Sequence, residues 1–161
     1  MDVNGFKGPN SEARNGKQYD IRSFKVARFS KGCTPIDGIG CVQQLASFSP
    51  IKAGSDEMKK WDPNWTTEKV GRYASRDNYW AGAKKACDDI GMSLPSQSKL
   101  IRLGKKTKAE KEQLGLPTSG YFWASEEHYG YVSAYDADLN GGIGDFIYKG
   151  DWEKKVLCVG D

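Results

Sequence analysis

Four cysteines, at positions 33, 41, 87 and 158, constrain this chain more than any other feature of its sequence. They form an even set without a C-x-x-C pair, and the chain holds one histidine, His128. The closely spaced Cys/His pairs of a zinc site are therefore missing. An even, widely spaced set points instead to a disulfide framework, for which four cysteines allow three pairings. Cys33 with Cys41 closes a short loop through Pro35 and Gly38, and Cys87 with Cys158 closes a long one. In the chain-entropy picture the long loop contributes about 4 kcal/mol. Four reduced, buried thiols are the alternative. Disulfides place a protein in an oxidising compartment.

The chain has 161 residues, enough for one domain, or for one domain with an N-terminal arm. Its net charge is +3 and charged residues make up 28%, so no broad electrostatic footprint for nucleic acid is present. Within these residues no apolar run reaches the roughly 18–20 residues that span a bilayer, and none reads as a signal-peptide core. Nineteen glycines and 12% aromatic residues favour short strands and many turns over a helical bundle.

Residues 1–18 read as turns and a polar run. Tyr19 to Phe29 and Cys41 to Phe48 read as β-segments, and 49–72 as an irregular stretch carrying Trp61 and Trp65, with Pro50 and Pro63 opposing helix. A helix capped by Ser75 or Asp77 carries Tyr79, Ala83, Cys87 and Ile90 at helical spacing and stops at Gly91. Ser96 caps a second helix with Leu100, Ile101 and Leu103 inward. The charged run from Lys105 to Glu112 reads as a solvated face. Four β-type segments follow: Tyr121–Ser125, Tyr129–Tyr135, Asp145–Tyr148 and Val156–Val159, separated by Asn140-Gly141-Gly142 and Lys149-Gly150-Asp151. Helices followed by an antiparallel meander make an α+β arrangement.

The order of these pieces carries a resemblance. Tyr79-Trp80-Ala81-Gly82-Ala83-Lys84-Lys85-Ala86-Cys87, then Gly91-Met92-Ser93-Leu94-Pro95-Ser96, then Tyr121-Phe122-Trp123-Ala124-Ser125-Glu126 and Val156-Leu157-Cys158-Val159 resemble the C-type-lectin-like fold. The similarity is to its bacterial branch, which includes formylglycine-generating-enzyme-like domains. It implies two helices packed on an antiparallel sheet with long loops over 73–161, and a Cys87–Cys158 bridge from helix to last strand, leaving Cys33 with Cys41. Asp2-Val3-Asn4-Gly5, Lys7-Gly8-Pro9-Asn10 and Tyr19-Asp20-Ile21 resemble the segment after the hydrophobic helix of type IV pilin-like and pseudopilin-like proteins. Residues 1–72 are then a pilin-like β/loop segment. The implied setting is a bacterial cell surface, periplasm-facing or extracellular. A basic leader and an apolar helix of about 20 residues are expected to precede the sequence and anchor it in the membrane.

The functional residues follow from what is present. Asp2 and Asn4 have the oxygen spacing that opens a calcium loop, although no bidentate Glu completes it and an Asx-turn accounts for the same residues. Asp136, Asp138, Asn140 and Asp145 form a second oxygen-rich run. The Glu-Pro-Asn, Gln-Pro-Asp and Trp-Asn-Asp triplets of calcium-dependent sugar-binding lectins do not occur, so no cofactor is assigned and Ca²⁺ is the one ion considered. No G-x-S-x-G, H-E-x-x-H or P-loop string occurs. Formylglycine-generating chemistry needs a reactive C-terminal Cys pair, and only Cys158 lies there. The expectation is a non-enzymatic interaction module, a pilin-like subunit or adhesin. Its partners would be other pilin-like subunits, a glycan or a host or surface protein, with no nucleic acid. An enzyme of the formylglycine-generating-like branch and a purely structural pseudopilin are the alternatives. Aromatic rings beside hydrogen-bonding groups are the composition of contact surfaces. The expected ligand-facing set is Tyr129, Tyr131, Tyr135, Asp136, Asp138, Asn140, Asp145 and Trp152.

Overall fold

The structure, a computed structural model, describes residues 32–160. Residues 34–159 form one compact unit. The segment Tyr19 to Phe29, the pilin-like Asp2–Asn10 run and the metal candidates Asp2 and Asn4 lie outside the described residues.

The described chain is α+β. β1 (Thr34–Ile36) and β2 (Gly40–Leu45) form a hairpin in register Thr34–Val42, and β2 also neighbours β6 (Val156–Gly160). A second antiparallel sheet has the order β3 (Tyr121–Glu127), β4 (Ser133–Asp138), β5 (Ile143–Tyr148). The turn glycines set these returns: Gly141 and Gly142 both have positive φ, at 93° and 68°, which side chains resist. Lys155 links the two sheets. Its N–H donates to Tyr121 O, its carbonyl accepts from Trp123 N, and Phe122 and Lys155 form a parallel bridge.

Within residues 49–72, where an irregular stretch was expected, α1 (Met58–Trp61) and α2 (Thr67–Val70) form, and a 3₁₀ turn (Gly71–Ser75) begins. Pro63 falls between α1 and α2, where its missing N–H costs neither helix a bond. Residues on both sides of position 72 share one apolar cluster: Ile51, Met58, Trp65, Val70 and Ala81.

α3 (Tyr79–Asp89) starts later than Ser75 or Asp77 would place it. Asn78 is its cap, its side-chain oxygen accepting from Ala81 N at 2.8 Å. Asp77 is engaged elsewhere, accepting from Ala53 N and Lys52 Nζ. α3 buries Trp80, Ala81, Ala83 and Cys87, and Gly82 lies so close to the crossing chain that an added Cβ would sit 2.1 Å from Ser49 O. α4 (Gln97–Gly104) begins at the Ser96 cap, whose hydroxyl accepts from Lys99 N. It packs across β3, β4 and β5 through Leu100 and Leu103, which join Phe122, Ala124, Ala137, Leu139 and Leu157 in the main core. Trp80 and Trp123 are both core rings, at 3% and 0% exposure.

The Lys105–Glu112 run is not a uniformly solvated face. It holds α5 (Lys108–Gln113), begun by a capping box between Thr107 and Glu110. Lys111 is buried, donating to Gly104 O at 2.9 Å and Leu139 O at 2.6 Å, where it satisfies the last carbonyls of α4 and of the β4–β5 turn.

Cys87 of α3 and Cys158 of β6 form a disulfide. Cys33 and Cys41 are disulfide-bonded as well, and no cysteine is free. Two disulfides are consistent with an extracellular protein. Among the described residues no helix is long and apolar enough to cross a membrane.

Candidate functional site

Four exposed large apolar side chains lie on β5 and in the β3–β4 loop, namely Ile143, Phe146, Tyr129 and Tyr131, while Tyr121 and Trp152 lie elsewhere. β5 is an outer strand of the β3–β4–β5 sheet, and its residues Ile143 and Phe146 are 60% and 47% exposed. The β3–β4 loop, whose sequence is His128-Tyr129-Gly130-Tyr131-Val132, stands beside it. Its shape is set by His128 N donating to Ser133 O and Tyr131 N donating to His128 O. Gly130 and Tyr131 both take positive φ, at 96° and 70°; for a tyrosine that conformation is strained. A register shift in β3 between Trp123 and Glu127 precedes the loop and re-aims its residues.

The loop lays His128 flat on Phe146, with ring centroids 3.9 Å apart and planes 7° apart. Tyr135 of β4 meets both edge-on, at 5.3 Å from His128 and 6.3 Å from Phe146, while its own ring packs back onto the main core. Tyr129, 90% exposed, sits edge-on to His128 at 5.9 Å. The result is a four-ring patch; Ile143, three residues before Phe146 on the same strand, faces the other side of the sheet.

The residues expected to face a ligand do not form one surface. Tyr129 and Tyr135 belong to the ring patch. Tyr131 is nearby in the loop, with Lys69 Nζ 4.9 Å from its ring centroid. Asn140 lines a different, lysine-walled concavity with Lys105, Lys106 and Lys108. Trp152, 71% exposed, borders a third with Gln44 to Phe48 and Lys154. Asp138 turns its carboxylate onto Asn140 N, and Asp145 turns its own onto Phe146 N. Both act as turn and strand-end acceptors.

Asp136 corrects the expectation of an exposed contact residue. It is 1% exposed, paired across the strands with Trp123 and Asp145. Its Oδ1 and the Trp123 Nε1 both lack hydrogen-bond partners. Burial pushes the Asp136 carboxyl up to about 6; Lys154 opposes that shift, and Asp145, Asp151 and Asp138 reinforce it. Among the described residues no group of three or more His, Cys, Asp or Glu side chains is placed to hold a metal ion.

His128 and Phe146 are the functional candidates that sequence reasoning missed. His128 beside Glu126 and Glu127 reads as a surface residue, and Phe146 falls in the β-type run Asp145–Tyr148 with no role of its own. The available signal was Ile143-Gly144-Asp145-Phe146 after a double-glycine turn: a glycine and an acid between two apolar residues at the start of a strand.

A second constellation lies inside the molecule. Lys149 is fully buried, with Nζ 2.8 Å from Asp62 Oδ2 and hydrogen-bonded to Glu127 Oε2. Asn78 Nδ2 donates to the same Asp62 oxygen at 2.8 Å, and Asn64 Nδ2 donates to Glu127 Oε1 at 3.0 Å. The Lys149 ammonium also lies 4.4 Å from the Trp80 ring centroid and 5.7 Å from that of Trp65. Lys84 stands at the border, donating to Trp61 O at 2.8 Å. Burial lowers its pKa, opposed by Asp62 and Glu127 and reinforced by Lys149. The sequence shows none of this, because Lys149 and Asp62 are 87 positions apart.

Comparison with protein-family models, with curated proteins and with solved structures finds no match to this chain.

Proposed function

We propose that residues 34–159 form a non-enzymatic, extracellular interaction module that meets its partner through the ring patch of His128, Tyr129, Tyr135 and Phe146. The observation that carries this reading is the His128–Phe146 stack on an outer strand. Two rings stacked at 3.9 Å, extended by the nearly bare Tyr129, present a rigid apolar platform already organised without a partner. Such rings supply large contact area at small side-chain entropy cost, and interface hot spots favour them. Exposed aromatic faces of this kind suit either a protein surface or the apolar face of a sugar.

Two observations support the C-type-lectin-like reading of 73–161. The Cys87–Cys158 bridge joins the first helix of that segment to the last strand, and Ser93 pairs with Val159 across the same join. The pilin-like reading of 1–72 rests on the residues of the Asp2–Asn10 run. Together they suggest a surface subunit or adhesin, whose partner is another subunit, a glycan or a surface protein.

The test takes the wild-type chain to a glycan array and to sedimentation velocity for self-association. We expect at least one binding mode, weakened tenfold or more by Phe146→Ala with an unchanged melting temperature. A Phe146→Ala variant that binds as wild type overturns the assignment.

A further inference from the structure

The Lys149 site is a buried ion pair whose members are fixed from several sides. A buried ammonium and a buried carboxylate must pair to be tolerated at all, since each has lost its water. Here the pair is also immobilised from both sides. The Lys149 N–H donates to Val132 O, and its carbonyl accepts from Tyr79 N and Trp80 N at the start of α3. Asp62 closes α1, its N–H donating to Met58 O and its Oδ1 accepting from Asn64 N. Asp62 and Asn78 are 1% and 0% exposed, and the Trp80 and Trp65 rings flank the amine, so bulk water is kept from the reactants. Holding two groups at contact in this way replaces a bimolecular encounter with an intramolecular one of high effective molarity.

We propose that Lys149 and Asp62 condense to an intramolecular isopeptide bond, with Glu127 as the proton-transfer group. The Lys149 Nζ attacks the Asp62 side-chain carbonyl carbon. A new N–C bond forms, and one C–O bond of the carboxyl breaks. Glu127, hydrogen-bonded to Nζ, takes one proton from the ammonium to free its lone pair and a second from the nitrogen once the N–C bond has formed, and passes each in turn to the departing oxygen. Asn78 Nδ2–H, already on Asp62 Oδ2, holds the negative charge that builds there during the attack. The ammonium brings three protons: one stays on the amide nitrogen and two leave with the oxygen as water. Glu127 ends as it began, and no oxidant, reductant or cofactor is consumed. The product replaces a buried ion pair with a neutral amide. It also ties the end of α1 to the turn between β5 and β6. Glu127 is the partly exposed member, with 24% of its side chain accessible, which gives the released water a way out.

Intact-mass measurement of the wild-type chain, denatured and with both disulfides reduced, decides the matter without requiring any variant to fold. The expected mass is one water lighter than the sequence. Protease mapping should then yield a branched peptide joining the Asp62 and Lys149 fragments. The near-isosteric Glu127→Gln variant should return to full mass and lose the branched peptide. A wild-type chain at full mass overturns the proposal. So does a deficit that maps elsewhere, such as a succinimide at Asp37-Gly38, or a Glu127→Gln variant that is cross-linked as fully as wild type.

Discussion

Replacing Asp136 by asparagine should change how stability depends on pH, and the structure sets both the sign and the scale. Asp136 is buried between β3 and β5 with Oδ1 unpaired, and burial raises its carboxyl from 3.8 to about 6. A raised acid pKa means that the folded state holds the proton more tightly than the unfolded chain does. The unfolded chain therefore gains more from ionisation, so stability falls as pH rises from about 4 to about 6 and levels off above that. The full shift corresponds to at most about 3 kcal/mol. Solvent near the sheet surface screens it, leaving about 1–2 kcal/mol. Asp136→Asn keeps the shape and removes the titration. Urea unfolding of both proteins at pH 4 and at pH 7.5 isolates the effect as the change in their difference. Between those pH values wild type should lose about 1–2 kcal/mol relative to the variant. A difference that stays constant, or grows in the opposite direction, would show that Asp136 is ionised without penalty and that its site is wetter than its burial indicates.

Further outcomes follow from individual contacts. Cys87→Ser with Cys158→Ser should lower the unfolding free energy by about 4 kcal/mol, read by urea titration, because the bridge closes a loop of 71 residues. Gly82→Ala should destabilise by about 2–4 kcal/mol in thermal unfolding despite the higher helix propensity of alanine, since its Cβ would overlap Ser49 O and Pro50. Asn78→Ala removes both the α3 cap and a partner of buried Asp62, and should cost about 2–4 kcal/mol in the same assay.

Much of the fold is legible in local sequence because its signals are local. Ser96 precedes an apolar helical pattern and does cap α4, and the glycine turn at 141–142 sits between β4 and β5 as the residues indicate. The start of α3 was harder to read. Ser75, Asp77 and Asn78 are all competent caps, and only the tertiary engagement of Asp77 with Lys52 and Ala53 leaves the role to Asn78. Lys111 was illegible for a related reason: a lysine in a charged run reads as solvent-facing, and its burial depends on carbonyls from α4 and from Leu139, 28 positions away. The candidate site divides along the same line. Tyr129 was visible as an aromatic beside a glycine. The partnership of His128 with Phe146 depends on a β3–β4 loop folding back beside β5, which no spacing in the chain encodes.

The patch itself is tested most directly by comparing two exposed rings that differ in place. Tyr129 belongs to the four-ring cluster, whereas Trp152, nearly as exposed, borders a separate concavity. Neither ring is buried, so Tyr129→Ala and Trp152→Ala should both melt within a degree or two of wild type. With the glycan or self-association mode found for the wild-type chain, Tyr129→Ala should weaken binding tenfold or more while Trp152→Ala leaves it unchanged. Loss of binding in Trp152→Ala with Tyr129→Ala unaffected would contradict the account and move the contact surface to the other side of the β5–β6 turn.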